Sequence, residues 1–243
     1  METNTCRKLS FFTPDPKLVL ALVFLVFEGT PAIEASTRRD KAWEGLRPTQ
    51  LQSILEHSQE LLGPQQARGY RWLQEQPHAL EAMIFSSLQR SLPTRDRTQA
   101  RPIAQAILEQ SQKFNLDPVF VLSVIATESG FNPRAIGGVG ERGLMQIRPE
   151  TAQYIANRKG LHYRGPKNLE DPVLNIRIGT AYLHYLRTQF HRAPNKYISA
   201  YNMGPGRVRQ LYREDRQPKA YTQRVMKNYL QFQDQFRSLV TLN

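Results

Sequence analysis

The sequence predicts a mainly α-helical protein. Two stretches place apolar residues at helical spacing, several Asp-Pro or Pro pairs mark helix starts, and no strand-like alternation of useful length occurs. With 243 residues, of which 40% are apolar, the chain can bury a core and is too apolar for wholesale disorder. Its longest apolar run, residues 18–27, spans ten residues. A polytopic membrane protein is therefore excluded, because a spanning helix needs about 20.

Residues 1–35 have the composition of a secretory signal peptide. A basic start precedes the apolar run, and small residues ending at Ala32 and at Ala35 offer two cleavage sites. We therefore expect export to a bacterial periplasm, with no spanning segment after cleavage; the alternative is an uncleaved N-terminal membrane anchor. Cys6 is the only cysteine and lies before the apolar run. A lipoprotein is thus excluded, and the exported part is free of thiols, as suits an oxidising compartment.

Residues 36–100 are predicted to form a helical accessory region. Leucine and isoleucine recur at helical spacing within residues 51–62 and again within residues 79–92. Because this region carries no motif of known chemistry, an accessory or partner-docking role is the hypothesis. The polar, charged segment 93–98 is predicted to be a linker and the boundary of the next domain.

Residues 101–243 are predicted to form the second domain, built around one buried helix. Asp117 supplies an N-cap carboxylate, and Pro118 takes the first helical position. Residues 119–127 are then apolar nearly all round, as expected of a helix that is buried on all sides. Gly130 supplies the stop.

Glu128 lies in the last turn of this predicted core helix. Partial burial and the negative end of the helix dipole would both raise the pKa of its carboxyl. A carboxylic acid that stays protonated near neutral pH is suited to general acid catalysis. The local pattern alone favours the alternative, a glutamate that points to solvent where the helix emerges.

The chain carries a strong positive charge, which predicts an anionic partner. Lys and Arg exceed Asp and Glu by 12 overall, and residues 187–237 hold eleven basic side chains against three acidic ones. The alternative is a solvated helix face without a partner. No nucleic-acid reading motif occurs, and the secretory start argues against a specific nucleic acid. The five histidines show no metal-binding spacing, so neither a metal nor another cofactor is expected.

Four motifs in the second half of the chain follow one another in a recognisable order. They are Glu128-Ser129-Gly130-Phe131-Asn132-Pro133, Gly143-Leu144-Met145-Gln146-Ile147, the segment Asp171-Pro172 with Asn175, Ile176, Gly179, Tyr182 and Leu183, and Ala200-Tyr201-Asn202-Met203-Gly204-Pro205-Gly206. This pattern resembles the soluble lytic transglycosylase (SLT) domain, a member of the lysozyme-like superfamily that also holds goose-type lysozymes. The resemblance covers about residues 103–230 and implies that residues 101–243 form a lysozyme-like helical catalytic domain.

The resemblance implies a role for each matching residue. Glu128 corresponds to the single catalytic acid, and Ser129 is expected to help orient its carboxyl. Residues 143–146 correspond to the segment that lines the glycan groove, and Tyr201 and Asn202 to the pair opposite the glutamate. The substrate-binding residues implied in this way are Ser129, Gly143, Leu144, Met145, Gln146, Tyr201 and Asn202.

Two departures from the family pattern affect the groove. Glu141 and Arg142 stand where the family more often has small, uncharged residues, and the loop 157–170 is unusually basic. The shape of the groove near these residues does not follow from the resemblance.

The function implied is a murein lytic transglycosylase. Glu128 would protonate the oxygen between N-acetylmuramic acid and N-acetylglucosamine, and the muramyl C6 hydroxyl would close onto C1 to give a 1,6-anhydro end. Basic residues would hold the enzyme near peptidoglycan, and a secretion or conjugation complex is a further hypothetical partner. Two alternatives stay open: a goose-type hydrolase that uses a second carboxylate (Glu141, Glu150 or Asp171 being candidates), and a non-catalytic wall-binding module.

Overall fold

The structure, a computed structural model, describes residues 48–64 and 77–241 and confirms the mainly helical fold in these ranges. The predicted signal peptide at residues 1–35 lies outside them. In the described ranges the backbone forms isolated bridges within residues 136–147 but no strand. Two short 3₁₀ helices, Thr94–Gln99 and Pro166–Glu170, join the α-helices. The α-helices are α1 Pro48–Leu62, α2 Pro77–Ser91, α3 Ala100–Phe114, α4 Pro118–Ser129, α5 Pro149–Lys159, α6 Pro172–Gln189, α7 Pro194–Met203, α8 Pro205–Arg213 and α9 Ala220–Thr241.

Helix α4 forms the centre of the fold, as its sequence predicts. The Asp117 carboxylate accepts a hydrogen bond from the Val119 N–H at 2.8 Å, and Pro118 occupies the first turn. Residues 119–125 are buried, and α4 packs against α3 and α9. Gly130 ends the helix in the left-handed conformation, at φ 56°. The residues that follow Ile125 therefore emerge from the core with a fixed direction.

Helix α6 begins in the same way and packs tightly against the loop before α5. The Asp171 carboxylate accepts from the N–H groups of Val173 and Leu174, at 2.9 and 3.1 Å. A Cβ added at Gly179 would lie 2.4 Å from the Met145 sulfur, so this glycine allows a close approach of side chain to helix. Gly179 thus marks a position of close packing between α6 and this loop.

Helix α1 joins the core through a buried polar network. The backbone N–H of Asp117 donates to His57 Nδ1 at 2.8 Å, so the ring carries its proton on Nε2, which lies 3.1 Å from the Tyr197 hydroxyl oxygen. Burial, with the positive charge of Arg187, holds the pKa of His57 well below its usual range. Arg187 itself pairs with Glu60 at 2.6 Å, both side chains being at most a tenth exposed. Helix α1 is thereby tied to α4, α6 and α7.

The segment 93–98, predicted to be a polar linker, is instead an anchored part of the fold. It forms most of the 3₁₀ helix that leads into α3, and Asp96 within it is completely buried. The Arg134 guanidinium meets both carboxylate oxygens of Asp96, at 2.7 and 2.8 Å. One of the charged side chains that suggested a polar linker, Asp96, is therefore buried and paired with Arg134. All described residues lie in one compact unit, 45–243, and the accessory role of residues 36–100 stays a prediction.

In the part of the chain that the structure describes, no helix is both long and apolar enough to span a lipid bilayer.

Candidate active site

A cleft of about 360 Å³ opens beside the C-terminal end of α4. Its lining includes four of the residues that the sequence predicts for the site, namely Glu128, Gln146, Tyr201 and Asn202, together with Glu141 and Tyr182. The volume falls in the range of small-molecule sites, and the lining combines aromatic rings with a few polar groups. The cleft is therefore the candidate active site.

The carboxyl group of Glu128 is half-buried in this cleft and hydrogen-bonded by a tyrosine. Burial raises the pKa of Glu128 to about 7, and repulsion from Glu141 acts in the same direction. The Tyr221 hydroxyl donates to Glu128 Oε1, which together with the charge of Arg224 opposes the rise. A carboxyl with a pKa of about 7 can both donate and accept a proton near neutral pH.

Tyr221 belongs to the site, although the sequence analysis did not single it out. It lies in the first turn of α9, with 5% of its surface exposed. Burial raises the pKa of its hydroxyl well above the usual value, so the group remains a donor. No local pattern distinguishes a tyrosine of this kind from one that fills the core.

Tyr201 lies close to Glu128 in the lining of the cleft and is held by the loop before α5. Its hydroxyl donates to the Met145 carbonyl oxygen at 2.8 Å, and its ring centre lies 5.5 Å from that of Tyr182. Burial, together with the negative charge of Glu128, raises the pKa of Tyr201 well above its usual range. Tyr201 is thus fixed in position as a neutral group close to the acid, and the role that the resemblance implies for it stays a prediction.

A buried amide clamps the loop that contains the predicted groove segment. Asn175 Oδ1 accepts from the Met145 N–H at 2.8 Å, while Asn175 Nδ2 donates to the carbonyls of Arg142 and Leu169, both at 2.9 Å. Gly143 has φ +79°, and an added Cβ there would lie 2.1 Å from the Leu169 carbonyl oxygen. The glycine therefore makes room for the clamp, not for substrate.

Ser129 and Gln146 also hold this loop in place. The Ser129 hydroxyl donates to the Leu144 carbonyl at 2.8 Å, so it joins the end of α4 to the loop. Its expected help in orienting the Glu128 carboxyl stays a prediction. Gln146 has a left-handed backbone, at φ 46°, and its amide donates at 3.0 Å to the carbonyls of Ala135 and Gly143. These bonds leave the Gln146 side chain at the wall of the cleft.

Two residues of the predicted groove segment have a different location. The side chains of Leu144 and Met145 are completely buried, and Met145 packs against Gly179. They pack in the core beneath the cleft and do not line it. Burial of apolar side chains in the core is more favourable in free energy than their exposure to water. The backbone of Met145 nevertheless serves the site, since its carbonyl holds Tyr201 and its N–H is held by Asn175.

The three candidates for a second carboxylate have different environments. Asp171 caps α6. Glu150 is exposed on α5 and lies 3.3 Å from Arg148. Glu141 lines the cleft with Glu128, and its Oε2 accepts the Val139 N–H at 3.1 Å. Among these three, Glu141 is the one placed to act on the same substrate as Glu128.

Comparison with known proteins places the chain in a family. Residues 105–223 match the family described as "Transglycosylase SLT domain". The soluble lytic murein transglycosylase of Salmonella typhimurium is 43% identical over 91 residues, which are 37% of this chain and 14% of that relative. The membrane-bound lytic murein transglycosylase C of Mannheimia succiniciproducens is 32% identical over 153 residues, 59% of this chain and 42% of that relative.

A crystal structure shares the fold. The 70 kDa soluble lytic transglycosylase of Escherichia coli matches with a TM-score of 0.50 and 25% identity, over 72% of this chain and 33% of that one. The present chain spans less than half the length of these relatives. The matched segment contains all the residues that line the cleft, and also Tyr221, which hydrogen-bonds Glu128. Residues 105–223 therefore belong to the SLT transglycosylase domain family of the lysozyme-like superfamily.

Proposed function

We propose that this protein is a peptidoglycan lytic transglycosylase, which cleaves the bond between N-acetylmuramic acid and N-acetylglucosamine and leaves 1,6-anhydromuramic ends. The observation that carries the proposal is the carboxyl of Glu128, which lies in the cleft, accepts a hydrogen bond from Tyr221 and has its pKa raised by burial to about 7. The names of the relatives, which are lytic murein transglycosylases, support the same substrate and reaction.

The reaction needs one group that gives a proton and then takes one. Protonated Glu128 would donate to the bridging oxygen as the bond from that oxygen to muramyl C1 breaks. The carboxylate would then accept the proton of the C6 hydroxyl while the C6 oxygen bonds to C1. A pKa of about 7 suits both steps, because neither form of the group is rare near neutral pH. The nucleophile, the C6 hydroxyl, is part of the same sugar as C1, so the two reacting atoms are held close together by the substrate itself.

The surrounding residues would position the sugars and tune the acid. We assign substrate contacts to Gln146, Tyr201 and Asn202, which line the cleft. Tyr221 would stabilise the carboxylate formed after the first step, since its hydroxyl already donates to Oε1. Ser129 and the segment 143–145 would act indirectly, by fixing the loop that carries Gln146.

A goose-type hydrolase is the second candidate, and one observation favours it. Glu141 lines the same cleft as Glu128, where it could position a water molecule for attack on C1. A non-catalytic wall-binding module is the third candidate from the sequence, and the same experiment tests all three.

We expect digestion of purified peptidoglycan to release muropeptides with 1,6-anhydro ends. These products are lighter by one water than the hydrolysis products and lack a reducing end, so mass spectrometry and a reducing-end assay distinguish them. Intramolecular attack by a well-placed hydroxyl can correspond to an effective concentration of ~10⁵ M or more, which water does not match. Reducing ends as the main product would favour the hydrolase, and the absence of soluble products would favour the binding module.

Substitution of Glu141 should shift the pH profile without abolishing activity. In Glu141→Gln the repulsion that raises the pKa of Glu128 is lost, so that pKa falls. Because the acid step needs the protonated form, the alkaline limb of the rate profile should move to lower pH. Glu150→Gln is the matched control, since Glu150 is exposed on α5 and lies outside the cleft lining. Loss of activity at every pH in Glu141→Gln would instead indicate that Glu141 is a second catalytic carboxylate.

Location and partners remain part of the proposal. We place the protein in the periplasm, where its substrate lies, with either a cleaved signal peptide or an N-terminal anchor; among the relatives, both soluble and membrane-bound enzymes are named. The basic residues of the segment 187–237 would attract the carboxylates of peptidoglycan peptides. A secretion or conjugation complex stays a hypothetical partner.

A further inference from the structure

Three tyrosines form a continuous aromatic strip that leads out of the cleft along α5 and α6. Tyr182 lines the cleft and contacts Tyr201. The ring of Tyr185 lies 6.3 Å from that of Tyr182 and nearly parallel to it, at 15°. The ring of Tyr154 follows at 5.7 Å from Tyr185, at 70°. The contacts thus extend one turn along α6 and then cross to α5.

The outer end of the strip is open to solvent. Tyr154 is 44% exposed, whereas Tyr182 and Tyr185 are half-buried. From the cleft outward, the order of the rings is Tyr182, Tyr185 and Tyr154. Three partly exposed tyrosine rings that contact one another and begin inside a cleft form a preformed surface for a ligand. Tyrosine suits such a surface because its ring is apolar and its hydroxyl can remain hydrated.

Positive charge accompanies the strip. The guanidinium carbon of Arg158 lies 5.5 Å from the centre of the Tyr154 ring. Arg148, which is paired with Glu150, lines the cleft at the inner end. The charges of Arg158 and Arg209 both act on the Tyr185 hydroxyl. A ligand that presents flat apolar faces and occasional carboxylates would match this arrangement.

We infer that the strip Tyr182–Tyr185–Tyr154 is an additional saccharide-binding surface, which holds sugars of a β-1,4-linked N-acetylated glycan beyond those at the cleavage point. The C–H face of a pyranose ring is apolar and packs on an aromatic face, while its hydroxyls stay at the edge, in water. Arg158 would meet the carboxylate of a lactyl group or stem peptide on the same strand. This inference rests on the proposed function, because the strip extends the cleft assigned above to the glycan.

Single-stranded nucleic acid is the other polymer that aromatic rings and arginines commonly bind. It fits this strip less well, because the inner end opens into a cleft lined by Glu128 and Glu141. These carboxylates would repel a phosphodiester backbone, which is charged at every linkage. The glycosidic linkages of a glycan carry no charge, and its occasional carboxylates would meet Arg158 at the outer end instead. The glycan is therefore the occupant we assign.

The test measures binding by calorimetry on the full chain carrying Glu128→Gln, so that no probe is cleaved. The probes are an N-acetylglucosamine hexasaccharide, which can reach the strip, and the corresponding disaccharide, which can fill the cleft alone. In the Glu128→Gln background, Tyr154→Ala should weaken hexasaccharide binding about five- to tenfold and leave disaccharide binding unchanged. Tyr154→Phe should restore binding, since the ring face is kept.

The matched control is Leu230→Ala, which removes a side chain of similar exposure, 47%, from α9. It should leave hexasaccharide binding unchanged. The inference is overturned if Tyr154→Ala binds the hexasaccharide as tightly as its parent, if the Glu128→Gln chain binds no hexasaccharide, or if an oligothymidylate binds in a Tyr154-dependent way and displaces the sugar. Arg158→Ala should weaken binding of a peptide-bearing strand but not of the uncharged hexasaccharide.

The outcome is separable from that of the proposed function. Tyr154-dependent glycan binding by a chain whose native form yields no 1,6-anhydro product would support the strip and contradict the transglycosylase. Normal 1,6-anhydro products, together with hexasaccharide binding that is unchanged in Tyr154→Ala, would support the transglycosylase and contradict the strip.

Discussion

A Glu128→Gln protein is expected to lose wall-lytic activity by several orders of magnitude while remaining folded. General acid catalysis alone contributes about 10²–10⁴ in rate, and the glutamine can supply neither the proton of the first step nor the base of the second. The substitution keeps the size of the side chain, and its amide carbonyl can still accept the hydrogen bond from Tyr221. Release of soluble muropeptides from purified wall is the measurement, with Glu150→Gln as the control carboxylate. Wild-type rates in a folded Glu128→Gln protein would contradict the assignment.

The same substitution should stabilise the fold at alkaline pH. The carboxyl of Glu128 has a pKa of about 7 in the folded chain, above its ordinary value of 4.5, so the folded state binds this proton more tightly than the unfolded state does. Ionisation therefore costs stability, which is lost as the pH rises from about 4.5 to 7 and stays lost above that. We expect Glu128→Gln to melt at a higher temperature than the parent chain at pH 8, with a smaller difference at pH 5. A lower melting temperature at pH 8 would show that the carboxylate stabilises the fold.

Gly143→Ala is expected to have the second large effect, through the loop that supports the site. The new methyl group would lie 2.1 Å from the Leu169 carbonyl oxygen and 2.3 Å from the Asn175 amide nitrogen, at a backbone φ of +79°. Relief of this clash must displace the Asn175 clamp, and the strained backbone adds to the cost. We expect a loss of about 2–4 kcal/mol in the free energy of unfolding, measured by urea denaturation.

Activity should fall with stability in Gly143→Ala, even under conditions where the protein is fully folded. The Asn175 clamp holds Met145, whose carbonyl holds the Tyr201 hydroxyl beside the acid. Gly138→Ala is the matched control, because it lies in the same loop with no atom within 4 Å of an added Cβ. If both alanine variants behaved alike, the clamp would not be needed for the site.

Local signals in the sequence were sufficient to predict the framework of the site. The pairs Asp117-Pro118 and Asp171-Pro172 begin α4 and α6 as expected, since a cap depends on residues two or three positions away. The uniformly apolar segment after Pro118 likewise indicated the central helix, and the position of Glu128 at its end followed from helix length. The four sequence motifs additionally predicted that the cleft lies at the C-terminal end of this central helix.

The rest of the site depends on contacts between distant parts of the chain. Leu144 and Met145 were assigned to the groove by resemblance, but apolar side chains in such a motif fit a core equally well, and the structure places them there. Tyr221 comes from α9, 93 residues after Glu128, and nothing near it in sequence indicates its partner. Asn175 occurred in a motif, yet its three hydrogen bonds to the loop become visible only once α6 and the loop are adjacent.

The buried network around α1 has a consequence for the order in which the chain can fold. His57 meets Tyr197 across 140 positions and Glu60 meets Arg187 across 127, so these pairs form only when nearly the whole domain is available. Such distant contacts slow folding, because a long loop must be closed before any of them contributes. Before α6 is synthesised, Glu60 lacks Arg187, the cation with which it pairs in the folded chain, so α1 cannot complete its native packing. We therefore expect the earliest described helix to be among the last parts of the molecule to become native.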